Sequence, residues 1–503
     1  MAFTVQTRSP KFYLAIQTQD TVYTSDPSSL GSPTLRDSVY EIVTSRRIGE
    51  TAGSFQITLS PRIKDDVHTL NWLDLLHPMD YVEIAIDSGV DVPIIPSVGG
   101  GEDSDHPIVG RGKRPAPVMR GFIDSVVEQG SFESGIPGRS IVVTGRDFGK
   151  IALFTMMYNY TDSKLPPVIQ LLQSYTDGRA TVSNQNLKPN PSLGTAAEKL
   201  TNDSGRNPTN MMSLFYTFFF EPHMNEITKH LVPTFGSRAR IGTIEFFLDS
   251  YNDKLFCFDP ILENSNLDPF SQVWSCFERY QNKPWAELYF DDDDDGPRFI
   301  HRTTPWYDVN GKEIQGNPYY SATITDQRVL SYGYGRSDAE VFNLFSTESL
   351  LWGPLIKARI NMGQISKEPN SNPRIISDND TTPSNIFRFG LRQLEMNSPY
   401  LSLKAGVSQD DYDAAMRTGP GAELNDKLFR AYSFNEQLLA GQISIKGDTH
   451  IHIGDYIYLR LVRRPLQRFY VESVSHAFRQ PTGIEGGEGS FRTTLVLTRG
   501  QQV

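Results

Sequence analysis

The chain has 503 residues, a formal net charge of −11 at pH 7 and two cysteines, Cys257 and Cys276. A single hydrophobic core rarely serves more than about 250–300 residues, so the length predicts several domains. The acidic balance argues against a general nucleic-acid-binding protein, which needs basic surface to displace phosphate counterions. Two cysteines exclude a disulfide scaffold and a cysteine zinc cluster.

Residues 1–150 are predicted to form a β domain, because apolar and polar residues alternate with the period of two that is typical of half-buried strands. Strands are expected at 55–59, 82–86, 118–127 and 140–144. The segment 97–107 is rich in Gly, Asp and Ser and is predicted to be a surface loop. Several short strands with loops of this kind favour a barrel or a sandwich.

Arg146 and Asp147 end the last of these strands. The interpretation we favour is local: the two side chains pair with nearby groups or cap the following helix. The alternative places them at an interface between subunits.

Residues 151–265 are predicted to be a helical and loop-rich insertion. A helix is expected to begin at Pro166 and Pro167, because the N–H groups of a first helical turn lack partners anyway. Residues 183–208 are rich in Asn, Pro, Ser and Thr and are expected to be loop. The apolar run at 211–220 is too short to cross a bilayer and is predicted to be buried core or an interface.

The N-terminal sequence, MAFTVQTRSPKFYL, lacks the charged start and apolar stretch of a signal peptide. We therefore expect a soluble protein that is made in the cytoplasm and is not stably inserted in a membrane.

Residues 266–430 are predicted to be mixed α+β. A helix is expected at 269–281, because Val273, Phe277 and Tyr280 recur at i, i+4 and i+7. A strand is expected to follow at 286–290.

Further elements are expected beyond this strand. Ser337 to Glu340 has the pattern of a capping box ahead of a helix in VFNLF. A short helix is expected at 408–417, and residues 425–439 are predicted to be helical or mixed.

Residues 431–503 are predicted to be β structure. Strands are expected at 457–461, 467–478 and 492–499, with a glycine-rich hairpin tip at 483–489.

Residues 291–295 are five consecutive aspartates followed by Gly296. Calcium loops need spaced ligands, because adjacent side chains of an extended run point in opposite directions. We favour a solvated hairpin tip over a calcium site.

His450 and His452 are the most enzyme-like feature of the sequence. Two histidines two residues apart on a strand share one face, as in zinc peptidases that cleave bacterial walls. Such enzymes also need an upstream His and Asp four residues apart, and His77 and Asp80 have the wrong spacing. We favour a polar strand face, with Ile451 and Ile453 on the core side.

The sequence holds no nucleophile elbow, Walker loop or dinucleotide fingerprint. We therefore assign no catalytic, cofactor-binding or metal-binding residue, no cofactor and no enzymatic activity. Paired carboxylates for glycoside hydrolysis cannot be recognised in one sequence, so an embedded muramidase stays open.

Four groups of segments stand out along the chain. They are GSFQITL (53–59) with WLDLLHPMDYVEIAI (72–86), MRGFIDSVVEQG (119–130) with IVVTGRDFGK (141–150), VWSCFERYQNKPWAELYFD (273–291) with HRTTPW (301–306) and GRSDAEVFNLF (335–345), and GQISIKGDTHIHIGDYIYL (441–459) with FYVESVSHAF (469–478) and TTLVLTRG (493–500). In their order and spacing they resemble the central baseplate hub proteins of contractile-tailed bacteriophages, a group related to the late-control tail protein family. Residues 183–225 match no segment of that family.

This resemblance implies a β-rich α+β, multidomain fold. It contains two tail-tube-like antiparallel β-barrel domains with inserted mixed α/β regions. The first barrel is 1–150, and 151–265 is an insertion. The second tube-like domain is the C-terminal β part, 431–503, joined by pieces of the mixed region 266–430.

The resemblance also implies a structural role in the virion tail baseplate, after assembly in the host cytoplasm. Three chains with two tube-like domains each form a ring that adapts the six-fold tail tube to the three-fold central spike. The implied partners are two further copies of the chain, the tail tube protein, the central spike protein, the tape measure protein and baseplate wedge proteins. DNA is only passing cargo, and the acidic charge prompts the hypothesis of an acidic lumen.

Two alternative functions remain open at this point. One is a tail-associated peptidoglycan hydrolase, and the other is a receptor (glycan)-binding baseplate protein.

Overall fold

The computed structural model describes about half of the chain. The described residues are 10–25, 35–61, 71–88, 116–131, 138–158, 212, 216, 220–228, 230–231, 245–248, 270–281, 283–284, 286–293, 296–304, 321–349, 374–375, 386–398, 428, 431–432, 434–480 and 490–503. Five predicted features lie outside the described residues: the loop at 97–107, the helix at Pro166, the loop at 183–208, the helix at 408–417 and the hairpin tip at 483–489.

Seven strands of the N-terminal half lie side by side in one sheet. They are β1 (Lys11–Gln17), β2 (Val22–Thr24), β3 (Val39–Arg47), β4 (Ser54–Leu59), β5 (Tyr81–Asp87), β6 (Ala116–Ser131) and β7 (Gly138–Asp147). Their order is β3-β4-β7-β6-β5-β1-β2, and neighbouring strands are antiparallel. The four strands predicted from alternation correspond to β4, β5, β6 and β7, so these predictions are confirmed.

One face of these strands carries an aliphatic and aromatic core, because alternate residues of a strand point to the same side. In β4, Phe55, Ile57 and Leu59 are buried, whereas the residues between them are more exposed. The short helix α1 (Trp72–Leu75) adds a fully buried Trp72. Strand β5 differs, because both of its faces are buried, including that of Glu83.

The middle of the chain contributes short helices and two small sheets. They are α2 (Gly149–Phe154), β8 (Met156–Tyr158), α3 (Glu221–Thr228), β9 (Glu245–Leu248), β10 (Phe270–Gln272), α4 (Val273–Tyr280), β11 (Ala286–Asp293) and β12 (Gly296–Thr303). Strand β10 pairs with β8, while β12 forms a hairpin with β11 and a parallel pair with β9.

Helix α4 packs on this hairpin through aromatic rings. Val273, Phe277 and Tyr280 are buried, which confirms the predicted helix and its apolar face. The ring of Phe299 lies 4.8 Å from that of Phe277 and 4.5 Å from that of Phe290.

The apolar run at 211–220 reaches the same cluster. Three of its residues are described, Met212, Tyr216 and Phe220, and all three are buried. For these residues the prediction of core or interface is confirmed. In the described part of the chain, no helix is long and apolar enough to cross a membrane.

The capping box predicted at Ser337 is wrong. Residues 337–340 form a turn, and the segment that follows enters a strand. The Ser337 hydroxyl does accept a local hydrogen bond, from the Ala339 amide at 3.1 Å. Asn343 then bonds the Gly390 carbonyl and the Arg392 amide, so tertiary contacts hold this segment extended despite its helical start signal.

The strand after this turn belongs to a further small sheet. The elements before the turn in sequence are β13 (Ser321–Thr325) and β14 (Val329–Gly335), and those after it are β15 (Leu344–Ser349), β16 (Arg374–Ile375), α5 (Ile386–Phe389) and β17 (Gln393–Ser398). Of these, only β15, β16 and β17 pair with one another, whereas β13 and β14 join the C-terminal strands.

The C-terminal half adds four strands, and three of them confirm the strands predicted at 457–461, 467–478 and 492–499. They are β18 (Leu439–Lys446), β19 (Tyr456–Arg460), β20 (Gln467–Arg479) and β21 (Ser490–Gln502). Strand β14 pairs with β18, and β13 pairs in parallel with β19. A second core of Ile, Leu, Val and Phe side chains lies under this half.

The two halves share one sheet, because β20 pairs with β3. The first part of β20 pairs with β19, and its second part, Ser473–Arg479, pairs with residues of β3 from Arg47 to Glu41. A thirteen-stranded sheet results. We call the β3–β20 pairing the seam. The prediction of a β-rich α+β chain is confirmed.

Candidate functional site: a buried charge network

Arg46 lies at the centre of a cluster of buried charges beside the seam. Its side chain is only 9% exposed. Its Nε lies 3.3 Å from Asp147, its Nη1 lies 3.2 Å from Asp291, and its Nη2 contacts Asp292. Burial opposes the charged form, but the three carboxylates outweigh burial and raise the pKa of Arg46 above its usual value.

Arg120 on β6 is the second buried cation of this cluster. Its Nε lies 3.7 Å from Glu83, its Nη1 lies 3.6 Å from Asp292, and its backbone amide donates to Asp292 at 2.9 Å. The Tyr81 hydroxyl also donates to Glu83, at 3.0 Å. These partners explain how Glu83 can occupy a buried face of β5. We call Arg46, Arg120, Glu83, Asp147, Asp291 and Asp292 the junction network.

The prediction that the aspartate run is a solvated hairpin tip is wrong for its first two members. Asp291 and Asp292 are 6% and 1% exposed and belong to β11. Both are buried because Arg46 of β3 contacts both carboxylates and Arg120 of β6 contacts Asp292. Asp293 is the last residue of β11, and Asp294 and Asp295 lie outside the described residues.

Asp147 ties the network to the backbone. Its Oδ1 accepts from the Gly149 amide at the start of α2, and its Oδ2 accepts from the Gly53 amide, both at 2.9 Å. The predicted helix-capping role is therefore confirmed, and Arg146 pairs locally with Asp124 at 2.7 Å. Burial raises the pKa of Asp147 to about 6, although Arg46 opposes this shift.

His450 and His452 do not lie on a strand, so the predicted polar strand face is wrong. They belong to the loop between β18 and β19, and both are largely buried. The His450 Nδ1 lies 3.1 Å from Asp448, and the His452 Nδ1 lies 2.7 Å from Asp291 of the junction network. Ile451 and Ile453 are in the core, as predicted.

The other end of the β11–β12 hairpin is fixed to the C-terminal half. Arg302 Nε donates to Glu287 at 2.5 Å, and Arg302 Nη2 donates to the Gly454 carbonyl at 2.7 Å. The Tyr470 hydroxyl of β20 donates to the same Glu287. The hairpin therefore bonds to the N-terminal half at its tip and to the C-terminal half at its base.

A small cavity of about 20 Å³ adjoins the network. Arg46, Asp291, His452 and His476 are among its lining residues, and it has room for about one water molecule. In the described ranges, no three His, Cys, Asp or Glu side chains are grouped so that they can hold a metal ion. His77 and Asp80 line a different cavity.

The arrangement is suited to holding parts of the chain together. Two guanidinium groups and four carboxylates, from five separate strands, are paired away from water. Sequence reasoning missed Arg46, Arg120 and Glu83. The one available signal was the charge of Glu83 within the apolar strand YVEIAI, because an unpaired charge is rarely buried.

No protein-family model and no curated protein matches the chain. Among solved structures it is similar to a tail protein from Neisseria meningitidis, with a TM-score of 0.45 and 10% identity over 97% of this chain and 96% of that one. It is similar to the 43 kDa tail protein of prophage MuSo2 from Shewanella oneidensis, with a TM-score of 0.43 and 8% identity over 97% of each chain. It is also similar to a chain of a Francisella PdpA–VgrG complex, with a TM-score of 0.39 and 8% identity over 98% of this chain and 53% of that one.

Proposed function

We propose that the chain is a structural subunit of a phage tail baseplate hub. Three copies form a ring that adapts the six-fold tail tube to the three-fold central spike and surrounds the channel for the tape measure protein and DNA. Residues 1–150 act as one tube-like barrel domain. Residues 431–503, with strands from 266–430, act as the second, and baseplate wedge proteins bind outside the ring.

The observation that carries the proposal is the continuous sheet through the seam. A subunit that supplies two adjacent segments of a ring needs two similar sheets held side by side in one chain. Strands β13 and β14 lie beside β19 and β18, which supports the proposed composition of the second domain. The segments that resemble hub proteins include β4 to β7 and β18 to β21.

The junction network supports a structural role in a second way. Removing one partner of a buried ion pair leaves an uncompensated charge, so such pairs favour one arrangement of the elements that carry them. Here those elements are strands of the N-terminal half and the hairpin that is also bonded to the C-terminal half. A fixed angle between two ring segments is what symmetry adaptation requires.

The test is the assembly state of the purified chain. Light scattering is expected to give the mass of a trimer, and electron microscopy with tail tube or spike protein is expected to show rings. A strict monomer at high concentration, with no rings beside either partner, overturns the proposal.

Incubation with peptidoglycan, with and without a chelator, separates the hub from a wall-degrading enzyme. We expect no turnover, because no three metal-ligating side chains are grouped together among the described residues. Turnover that is lost in His450→Ala or His452→Ala would replace the structural proposal. A signal on a glycan array would favour a receptor-binding protein instead.

A further inference from the structure

The turn between β19 and β20 presents unpaired positive charge on an acidic protein. Arg460, Arg463 and Arg464 are exposed, and none of them forms an ion pair with another residue of the described ranges. Val462 at the tip is 72% exposed, which is unusual for an aliphatic side chain. We call residues 460–466 the arginine turn.

The arginine turn has a fixed backbone. The Val462 amide donates to Asp326 at 2.8 Å, and the Arg464 amide donates to the Leu461 carbonyl at 3.1 Å. Arg463 has a φ of 59°, a conformation that non-glycine residues seldom adopt. A turn held in this way loses little conformational entropy when it binds, which favours a role in recognition.

A groove in the N-terminal half has the opposite charge. Its volume is about 710 Å³, and Asp20, Asp74 and Asp80 line it. Asp20 and Asp74 are exposed and form no ion pair with any described residue, whereas Asp80 is buried. Apolar side chains, including Leu75 and Met79, lie between the carboxylates. We call this the acidic groove.

The arginine turn and the acidic groove belong to different parts of the strand order. The acidic groove is formed around β1, β2 and β5, which lie at the end of the strand order away from the seam. The arginine turn precedes β20, on the other side of the seam. Each copy therefore carries a basic surface on one half and an acidic one on the other.

We propose that the arginine turn of one copy docks in the acidic groove of the next copy. The exposed guanidinium groups of the turn meet the exposed carboxylates of Asp20 and Asp74, and Val462 reaches the apolar residues that line the groove. Arginine pairs with carboxylate in a fixed planar geometry and is enriched at protein interfaces. Because one half binds the other half of a neighbour, the contact is head-to-tail and can close a ring.

A second copy fits the arginine turn better than a nucleic acid does. Nucleic-acid surfaces combine extended basic stripes with exposed aromatic rings for bases. The arginine turn is short and has an aliphatic tip, Val462. This inference rests on the proposed homotrimer and names its contact.

Charge reversal of the full-length chain tests the contact. The double variants Arg463→Glu with Arg464→Glu, and Asp20→Arg with Asp74→Arg, are each expected to weaken self-association at least about tenfold in sedimentation velocity, since like charges then face each other. The fourfold variant, which carries all four substitutions and so exchanges the charges of the turn and the groove, is expected to restore the assembly. Arg139→Glu with Arg492→Glu is the matched control and leaves association unchanged.

The outcomes separate this contact from the proposed function. Trimers that persist in both double variants, or a fourfold variant that stays dissociated, overturn the contact while the hub role stands. If the wild-type chain is a monomer under all conditions, both the docking contact and the proposed homotrimer are overturned. If a double variant fails to fold, Arg463→Glu alone replaces it. Loss of duplex DNA binding in the arginine variants, with association unchanged, would assign the turn to nucleic acid.

Discussion

At the scale of single residues, the buried charges of the junction network set how stability depends on pH. Asp147 has a pKa raised to about 6, above its ordinary value of 3.8. The folded chain therefore binds this proton more tightly than the unfolded chain does. The contribution to stability is fully present below pH 3.8 and is lost as pH rises through about 6.

Asp147→Asn is expected to remove this part of the pH dependence. In the wild-type chain, the free energy of unfolding falls by about 2 kcal/mol between pH 4 and pH 7 because of this one group. The asparagine oxygen can still accept one backbone hydrogen bond, so the fold is kept. Urea unfolding across this pH range measures the slope. An unchanged slope in the variant would show that Asp147 is ionised throughout.

Asp448 behaves in the opposite direction. Burial raises its pKa, but His450 and Arg328 outweigh burial and hold it well below 3.8. Its contribution is present above pH 3.8 and is lost as pH falls further. Asp448→Asn is therefore expected to make the chain less sensitive to acid below pH 4, as measured by tryptophan fluorescence. Equal acid sensitivity in both chains would contradict this expectation.

Arg46 and Arg47 are neighbours in sequence and provide a matched pair. The Arg46 side chain is buried against three carboxylates, whereas the Arg47 side chain is 52% exposed and pairs with Glu472. Arg46→Leu is expected to lower the free energy of unfolding by roughly 3–5 kcal/mol, because it leaves buried carboxylates uncompensated. Arg47→Leu is expected to cost less than about 1 kcal/mol. Similar losses in urea unfolding would mean that the network contributes little.

At the scale of elements, the alternation of apolar and polar residues predicted the strands, but it did not predict which charged side chains are buried. Alternation identified β4 and β5 because one face of each is packed on an apolar core, which a sequence records directly. The aspartate run was misjudged because its burial depends on Arg46, 245 residues away. His452 was misjudged for the same reason, since its partner Asp291 is 161 residues away in the sequence.

The β11–β12 hairpin can be tested through the loop that it contacts. Gly454 and Gly49 both have positive φ, at 79° and 85°. A Cβ on Gly454 would lie 1.9 Å from the Arg302 guanidinium, whereas one on Gly49 would meet nothing within 4 Å. Gly49→Ala is expected to cost about 1–2 kcal/mol from backbone strain alone.

Gly454→Ala is expected to cost clearly more than Gly49→Ala, because it also displaces Arg302 from the Gly454 carbonyl. Thermal unfolding of the two variants measures the difference. Equal midpoints would imply that the hairpin is held mainly by its aromatic contacts with α4.

At the scale of the whole molecule, the N-terminal half is incomplete without the C-terminal one. Phe478 and Phe491 belong to the N-terminal core, and the Phe478 ring lies 5.2 Å from that of Phe12. A fragment of residues 1–158 is therefore expected not to fold alone, because β3 loses one of its two neighbouring strands and the core loses both rings. A well-dispersed amide spectrum from that fragment would contradict this dependence.

The seam also has a consequence for the timing of synthesis. Ser473 of β20 bonds the carbonyl of Arg46, 427 residues earlier in the chain. At about 5–20 residues per second, a ribosome needs roughly 20–90 s to make the strand that covers β3. During that interval the edge of β3 is open to other nascent chains on the same messenger. Copies that are translated side by side can therefore mispair before any of them forms its own β3–β20 pairing.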